Sequence, residues 1–343
     1  MGYSEEVVLI TSRADTCLRF PRLRKAVRCL LQAGADQKVA RHVAAVAEPP
    51  GRATLRRQPP QTPPQACELI TVMSANLWHD FPRYRRQEER LEHFAGLVEH
   101  VGADILLLQE VSRRPALQVD RWLAERLGMS FVYSRSNGHA EIGFEEGLAI
   151  FSRYPLASEP LLHQLGQSCN PFVRRMALAV EVQTACGPLL ALSVHLALSR
   201  TQNARQLASL SEWIEQFSPG RALVVGGDFN ASEHTRQIRR AGGQWTDTFR
   251  RLHPYADGAT HAIHFPWGSP WLRHRLDYIF LRAGLFPWQV VEARHLQLSP
   301  RPHSDHLSVL ARLAIASDRT RPAAKDQPAA KDQLSAEGAD FSL

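Results

Sequence analysis

The sequence predicts a sheet-rich α/β domain over residues 67–316, and two observations carry that prediction. Short apolar runs alternate there with segments of helical period, the pattern of strands covered by helices. Nearly every run also halts at an acid, an amide or an imidazole, so polar groups gather where strands end. With 343 residues the chain can bury a large core, and one large domain is expected.

Taken in chain order, residues 1–48 form a basic extension in which Leu23, Val27, Leu30 and Leu31 recur at helical spacing within residues 22–46. This segment reads as one surface helix, or as an arm for a membrane surface or nucleic acid. Residues 49–66 contain six prolines with Gly51 and several arginines, the composition of an extended linker that carries no core. Expected strands follow at 69–74, 105–108, 147–152, 177–182, 189–194, 222–225, 276–281 and 307–313. A helix over 86–101 has Leu91, Phe94, Val98 and Val101 on one face, and a second over 203–217 has Leu207, Leu210, Trp213, Ile214 and Phe217. Both should cover the outside of the sheets. The tail, 317–343, repeats PAAKDQ and is poor in apolar residues, so disorder is expected there.

The formal net charge of +7 is unevenly spread. Residues 1–66 hold 11 basic against 5 acidic side chains and residues 317–343 hold 4 against 5, which leaves only +2 on the central domain. Bulk charge therefore gives no support for a duplex-gripping surface on that domain. Five cysteines, at 17, 29, 67, 169 and 186, are scattered without CxxC spacing. They read as reduced thiols of a cytoplasmic protein and argue against a zinc site. No apolar stretch approaches the roughly 20 residues that cross a bilayer. The start, with Glu5 and Glu6 ahead of a very short apolar run, is unlike a secretory signal. Oligomeric state is left open.

The strand-end groups carry the chemistry. The first run ends in Asn76, the second in Gln109 and Glu110, and the run at 189–194 in His195. "VVGGDFNAS" stops at two glycines and delivers Asp228 and Asn230; Asp277 lies within "RLDYIFL", and Asp305 and His306 precede the last strand. Each alone has an ordinary reading as a turn, a cap or a structural ion pair. Together, carboxylates beside core segments are costly unless paired or coordinating a cation. Several carboxylates with amides and histidines but no thiolates suit Mg²⁺ or Mn²⁺ better than zinc. Phosphate-ester hydrolysis needs such a site: charge must be neutralised, water oriented and deprotonated, and the leaving alkoxide stabilised. A carboxylate beside a histidine should raise its pKa and favour a charged imidazolium.

These residues resemble the endonuclease/exonuclease/phosphatase superfamily, the DNase I-like fold, over about residues 67–316. The ordered motifs are "SANLW", "LLLQEV", "SVHLAL", "GGDFN", "RLDYIFL" and "SDHLSV". The resemblance implies a four-layer α/β sandwich of two packed mixed β-sheets flanked by helices. It implies Glu110 as principal metal ligand, with Asn76 and Asp305 near the metal or its waters and Asn76 also near the substrate. Asp228 and Asn230 would orient water and phosphate, His195 would contact phosphate, and Asp277 would orient His306. Whether Asp228 or His306 takes the proton stays open. Trp78 and His195 differ from the abasic-site endonucleases, and "RHRLDY" with Leu307 differs from the inositol-polyphosphate phosphatases. A divalent-metal-dependent phosphodiesterase is the leading reading, with nucleic acid among the candidate substrates. Lipid-headgroup or inositol-phosphate hydrolysis at a membrane surface, and a non-catalytic binding protein, are the alternatives. Two loops are expected to choose the substrate: "HFPWGSPWLRHR", with Trp267 and Arg275, and "NPFVRRM", with Arg174. Packing of the first loop on itself is an equal alternative.

Overall fold

The computed structural model describes residues 37–58, 69–157, 159–166, 173–264, 270–284, 287–297 and 301–315. The elements are α1 (Gln37–Ala47), β1 (Thr54–Arg56), β2 (Leu69–Asn76), α2 (Gln87–Val101), β3 (Ile105–Arg114), β4 (Leu117–Gln118), α3 (Val119–Leu127), β5 (Ser130–His139) and β6 (Phe144–Ser152). They continue as β7 (Leu161–Gln164), β8 (Met176–Thr184), β9 (Gly187–His195), α4 (Arg200–Phe217), β10 (Leu223–Asp228), α5 (Arg236–Gln244), β11 (Thr246–Asp247) and α6 (Thr248–Leu252). The chain closes with β12 (His261–His264), β13 (Pro270–His274), β14 (Asp277–Arg282), β15 (Trp288–Leu296) and β16 (Ser308–Ile315).

Two mixed sheets face each other. The first runs β1-β5-β6-β3-β2-β16-β15 with β4 on β3, and the second β11-β14-β10-β9-β8-β7. Between them lies one apolar layer, with Val72, Ile105, Leu107 and Ile150 from the first sheet against Leu178, Val180, Ala191 and Val224 from the second. The opposite face of the first sheet buries Met73, Leu106 and Phe151 against Leu91, Phe94 and Val98 of α2 and Leu123 of α3. The second sheet buries Leu192, Val225 and Phe280 against Leu207, Leu210 and Ile214 of α4 and Ile238 of α5. This is the expected four-layer α/β sandwich, and both expected helices form with their apolar faces inward.

Among the described residues eight strands escape the periodicity analysis, β1, β4, β5, β7, β11, β12, β13 and β15, of which β5 and β15 are the longest. β5 reads SFVYSRSNGH, and β15 alternates buried and exposed positions with charges among them, so neither presents a continuous apolar run. The proline-rich segment also departs from expectation. Thr54–Arg56 pairs antiparallel with Phe131–Tyr133, Leu55 packs on the inter-sheet core, and Gln58 N donates to Ser130 Oγ. Edge pairing tolerates prolines on either side because they lie outside the three paired residues. Of the extension, α1 covers the end of the helix expected over 22–46; residues 1–36 lie outside the described residues, as does the tail expected to be disordered.

The register explains why polar groups meet. In each sheet a parallel pair occupies the centre: Asn76 is opposite Gln109 in β2–β3, and Asp228 is opposite His195 in β9–β10. Asp228 is also opposite Asp277 across the antiparallel β10–β14 pair. Strand ends in register deliver their side chains to one end of the sandwich.

Candidate active site

Local backbone features aim these side chains. β3 carries a bulge between Leu108 and Val111, and Glu110 within it adopts a left-handed φ of 54°. The extra residue turns Glu110 out of the ladder and toward the strand ends. Its neighbour Gln109 stays buried and ties the two sheets together, donating from Nε2 to Leu107 O and to Ser193 Oγ at 3.1 Å. The two glycines of GGDFN are required by close approach. A Cβ on Gly227 would stand 2.0 Å from the Val194 carbonyl oxygen, and one on Gly226 would stand 2.6 Å from Leu107 of the facing sheet. Past them, Asn230 reaches a φ of 48° while its N–H donates to Asp228 Oδ1 at 2.9 Å, and its side chain donates to Leu196 O.

The structure brings Asn76, Glu110, His195, Asp228, Asn230, Asp277 and His306 together. Asn76 Nδ2 donates to Glu110 Oε1 at 3.1 Å and to Asp228 Oδ2 at 3.2 Å, so one amide links the two sheets' carboxylates. His195 Nε2 is 3.5 Å from Asp228 Oδ2. His306 Nδ1 is 2.8 Å from Asp277 Oδ2, and Thr260 Oγ1 donates to that same oxygen at 2.6 Å. Asp228, Asp277 and His306 have ligand atoms within 4.8 Å of one another.

The electrostatics separate the roles of these groups. Burial, with Asp277 next to it, pushes the Asp228 carboxyl up to about 7. Burial also opposes charge on His306, but Asp277, Asp228 and Asp305 outweigh it and push the imidazole up to about 10. The expected imidazolium is therefore His306. His195 goes the other way: burial, with Arg175, His306 and His79 around it, holds it well below the ordinary histidine range. Burial raises Glu110, and nearby Glu146 and Asp305 add to the rise although His79 opposes it.

Among the described residues the expected metal ligands divide between two clusters. Glu110 groups with His79 and Glu146, and Asp305 with His261 and His306, each set having ligand atoms within 4.8 Å. As placed, Asn76 turns Nδ2 toward Glu110 and gives Oδ1 to the Trp78 N–H, so it orients Glu110 instead of offering it an oxygen neighbour. The donors still fit a hard divalent cation: Glu110 is a carboxylate at a bulge within a core strand, disfavoured as an anion by burial and by two further acids, and the groups clustered with it among the described residues are an imidazole and a carboxylate.

Two substrate-contact expectations are corrected. Arg275 is 2% exposed and paired with Asp247 at 2.6 Å and Glu233 at 3.3 Å, with its guanidinium over the Tyr278 ring, so its charge is spent inside the fold. Arg174 is also buried; its Nη2 donates to the carbonyls of Val46 and Ala47 at the end of α1, and its N–H to Asn137 Oδ1. Arg174 and the neighbouring Arg175 both line a pocket with Glu110, Glu146 and His195, and each has one buried nitrogen, Arg174 Nη1 and Arg175 Nε, without a hydrogen-bond partner. Trp267 lies outside the described residues.

The periodicity analysis missed His79 and Glu146. They pair at 2.6 Å, and Asn137 Nδ2 donates to Glu146. Although burial opposes it, the Glu146 contact leaves the His79 imidazole raised; against the cost of its own burial, the same contact holds the Glu146 carboxyl below the usual range. His79 follows a strand at a distance of three residues and Glu146 begins one, so neither marks a strand end. The one available signal was an acid inside an otherwise apolar strand.

Comparison with known proteins agrees with this geometry. The profile described as "Endonuclease/Exonuclease/phosphatase family" matches residues 73–318. The uncharacterised protein YbhP of Escherichia coli K12 is 29% identical over 241 residues, which cover 65% of this chain and 88% of the relative. Among solved structures, a family protein from Leptotrichia buccalis superposes with a TM-score of 0.59 at 17% identity, covering 72% of this chain and all of the other. D. rerio TDP2 complexed with single-strand DNA product gives 0.57 at 17% identity, covering 72% and 99%.

Proposed function

The chain belongs to the endonuclease/exonuclease/phosphatase family, whose members are generally divalent-metal-dependent phosphoester hydrolases, and from that premise we propose that it hydrolyses a phosphodiester with Mg²⁺ or Mn²⁺. The observation that carries the reading is the hydrogen-bonded line Glu110–Asn76–Asp228 closing on the Asp277–His306 pair. Glu110, with Asp305 near enough to act on its charge, would hold the cation, which would supply charge neutralisation at the phosphate and the leaving oxygen.

Two ionisable groups have been pushed in complementary directions. Asp228, near 7, is matched to take a proton from water at neutral pH through a carboxylate oxygen, while its second role, accepting the Asn230 N–H, fixes its orientation. His306 is charged at that pH and is held by Asp277 through Nδ1, which leaves Nε2 to donate to a phosphate oxygen or the departing alkoxide. Neutral His195 adds an uncharged donor, and Arg175, with a buried Nε lacking a partner, adds a fixed cation for the phosphate. A diester suits the site because one anionic charge per phosphate meets Arg175 and His306.

The membrane-surface alternative rested on a free basic arm. Its described part, α1, is folded against the domain, with Ala45 and Ala47 buried and Arg174 on its last carbonyls. The test is Mg²⁺-dependent hydrolysis of single- and double-stranded DNA, RNA, bis-p-nitrophenyl phosphate, sphingomyelin and an inositol phosphate. Glu110→Gln and Asp228→Asn, each checked for folding by circular dichroism, are expected to lose at least about 100-fold of any activity found. Undiminished turnover in both variants would place the chemistry elsewhere.

A further inference from the structure

The end of α1 is held to the domain by two arginines that divide four consecutive carbonyls. Arg174 Nη2 donates to the carbonyls of Val46 and Ala47, and Arg135 Nη2 to those of Glu48 and Pro49. Cations at a helix C-terminus satisfy its orphan carbonyls and match its dipole. The side chains of Ala45 and Ala47 are buried at this attachment. α1 precedes residues 73–318, the part of the chain matched to the family.

From Arg174 a line of polar contacts runs to Glu110. The Arg174 N–H donates to Asn137 Oδ1 at 2.6 Å, and Asn137 Nδ2 donates to Glu146 Oε1. The other Glu146 oxygen lies 2.6 Å from His79 Nε2. That nitrogen is 3.5 Å from Glu110 Oε2, to which the His79 N–H donates at 3.4 Å. Asn137 stands opposite Glu146 past a bulge in β5, as Glu110 stands in the bulge of β3. The side chains of Glu110 and Glu146 are only 20% and 17% exposed, so solvent does little to screen one carboxylate from the other.

The His79 ring is held in one tautomer. The Phe81 N–H donates to Nδ1 at 3.0 Å, which assigns the proton of the neutral ring to Nε2, between the two carboxylates. A charged ring would set a second N–H against that of Phe81. With Nδ1 engaged and Nε2 protonated, the ring has no lone pair for a cation, so His79 acts on Glu110 as a donor and not as a further ligand. The backbone is bent to place it: Trp78 and Asp80, on either side, have left-handed φ of 45° and 53°. Such strain persists where surrounding contacts enforce it, here the Asp80 carboxylate on Arg85 Nε at 2.8 Å. Without the Nε2 proton, Glu146 would repel Glu110 and the latter would lose its orientation.

We propose that α1 is a working part of the active site: through Arg174, Asn137, Glu146 and His79 it holds the Glu110 carboxylate in the orientation that binds the cation. His79 and Glu146 are then positioning residues; this rests on the phosphodiesterase reading and extends its site to a segment outside the matched family region.

The experiment reads the metal alone, without turnover. Full-length protein is titrated with Mn²⁺, and the free ion is followed by its electron paramagnetic resonance signal, each variant first being shown to fold by circular dichroism. His79→Gln keeps an amide donor near the place of Nε2 but loses the Phe81 contact, whereas His79→Asn keeps an acceptor for Phe81 and falls short of Glu146. His79→Gln should bind Mn²⁺ within about threefold of the wild type and His79→Asn at least about tenfold more weakly, the loss found for groups that orient a metal ligand. Ala45→Lys/Ala47→Lys puts two cations into the buried attachment and undocks α1, and should weaken Mn²⁺ binding at least about threefold. Combined with His79→Asn it should add nothing further, because both break one line. Wild-type affinity in His79→Asn, or weaker binding in His79→Gln than in His79→Asn, assigns His79 to its turn alone and overturns the proposal. Wild-type affinity in the α1 variant, or losses that multiply in the combined variant, overturns it as well. Failure of the phosphodiesterase reading shows separately, as a wild type that binds Mn²⁺ no better than Glu110→Gln, and takes the proposal with it.

Discussion

Arg275 and Arg236 mark two regions that treat the same charge in opposite ways. Beneath β14, Arg275 is enclosed by Asp247, Glu233 and the rings of Tyr278 and Phe249. On the outside of the second sheet, Arg236 meets water at the first residue of α5, a helix end that disfavours it. The first charge holds the fold together and is out of reach of any substrate. The second is exposed and contributes nothing evident to stability. The acids divide in the same way: Asp247 is bound to its arginine, whereas Asp228 has no cation against it nearer than His306 and titrates near neutrality.

The contrast is broken most directly at Arg275. Its replacement by alanine leaves Asp247, 14% exposed, without its cation while Glu233 keeps Arg250, and should cost about 3–5 kcal/mol in urea denaturation. A loss under about 1 kcal/mol would mean that the enclosed arginine does not anchor this region.

The acid side of the contrast predicts a pH effect on the metal-free protein. Asp228 has a higher pKa folded than unfolded, so its contribution is fully present below about 4 and is lost as pH rises through about 7. His306, also raised on folding, contributes below about 6.5 and loses that as pH rises through about 10. Buried His195, His295 and His303, whose pKa values are lowered, act in the opposite sense in both proteins, so the wild-type denaturation midpoint in EDTA should fall from pH 5 to pH 8 relative to that of Asp228→Asn. Mg²⁺ should restore more stability at pH 8 than at pH 5. A difference in midpoint between the two proteins that stays constant over this range would contradict the burial argument.

The smallest expected effect lies at the start of α5. Arg236→Ala should leave stability within about 0.5 kcal/mol of the wild type, with the change toward greater stability because an unfavourable dipole interaction is removed. A loss above 1 kcal/mol would reveal a structural partner for Arg236 and remove the contrast.

Much of this arrangement was legible from residue order. Polar groups after apolar runs marked the ends of β2, β9 and β10, at Asn76, His195 and Asp228, whereas Gln109 and Glu110 mark a bulge within β3, which runs on to Arg114. Both large helices were visible as apolar stripes. β5 and β15 were not, because their partly polar faces dilute the period, and β1 was hidden among prolines. Arginine roles were the least legible. Arg174 and Arg175 are adjacent and line the same pocket, yet Arg174 also reaches the last carbonyls of α1, a contact that nothing in "NPFVRRM" specifies.

The sequence by itself determined which polar groups would stand at strand ends, since period, glycine pairs and chain breaks act over a few residues. Tertiary structure decided which charges are neutralised. Arg275 finds Asp247 from 28 residues away, Arg174 finds Ala47 from 127, and Asn76 joins Asp228 across 152. Such pairings depend on distances across packed sheets, where desolvation makes an unmatched charge costly, and no local pattern records them.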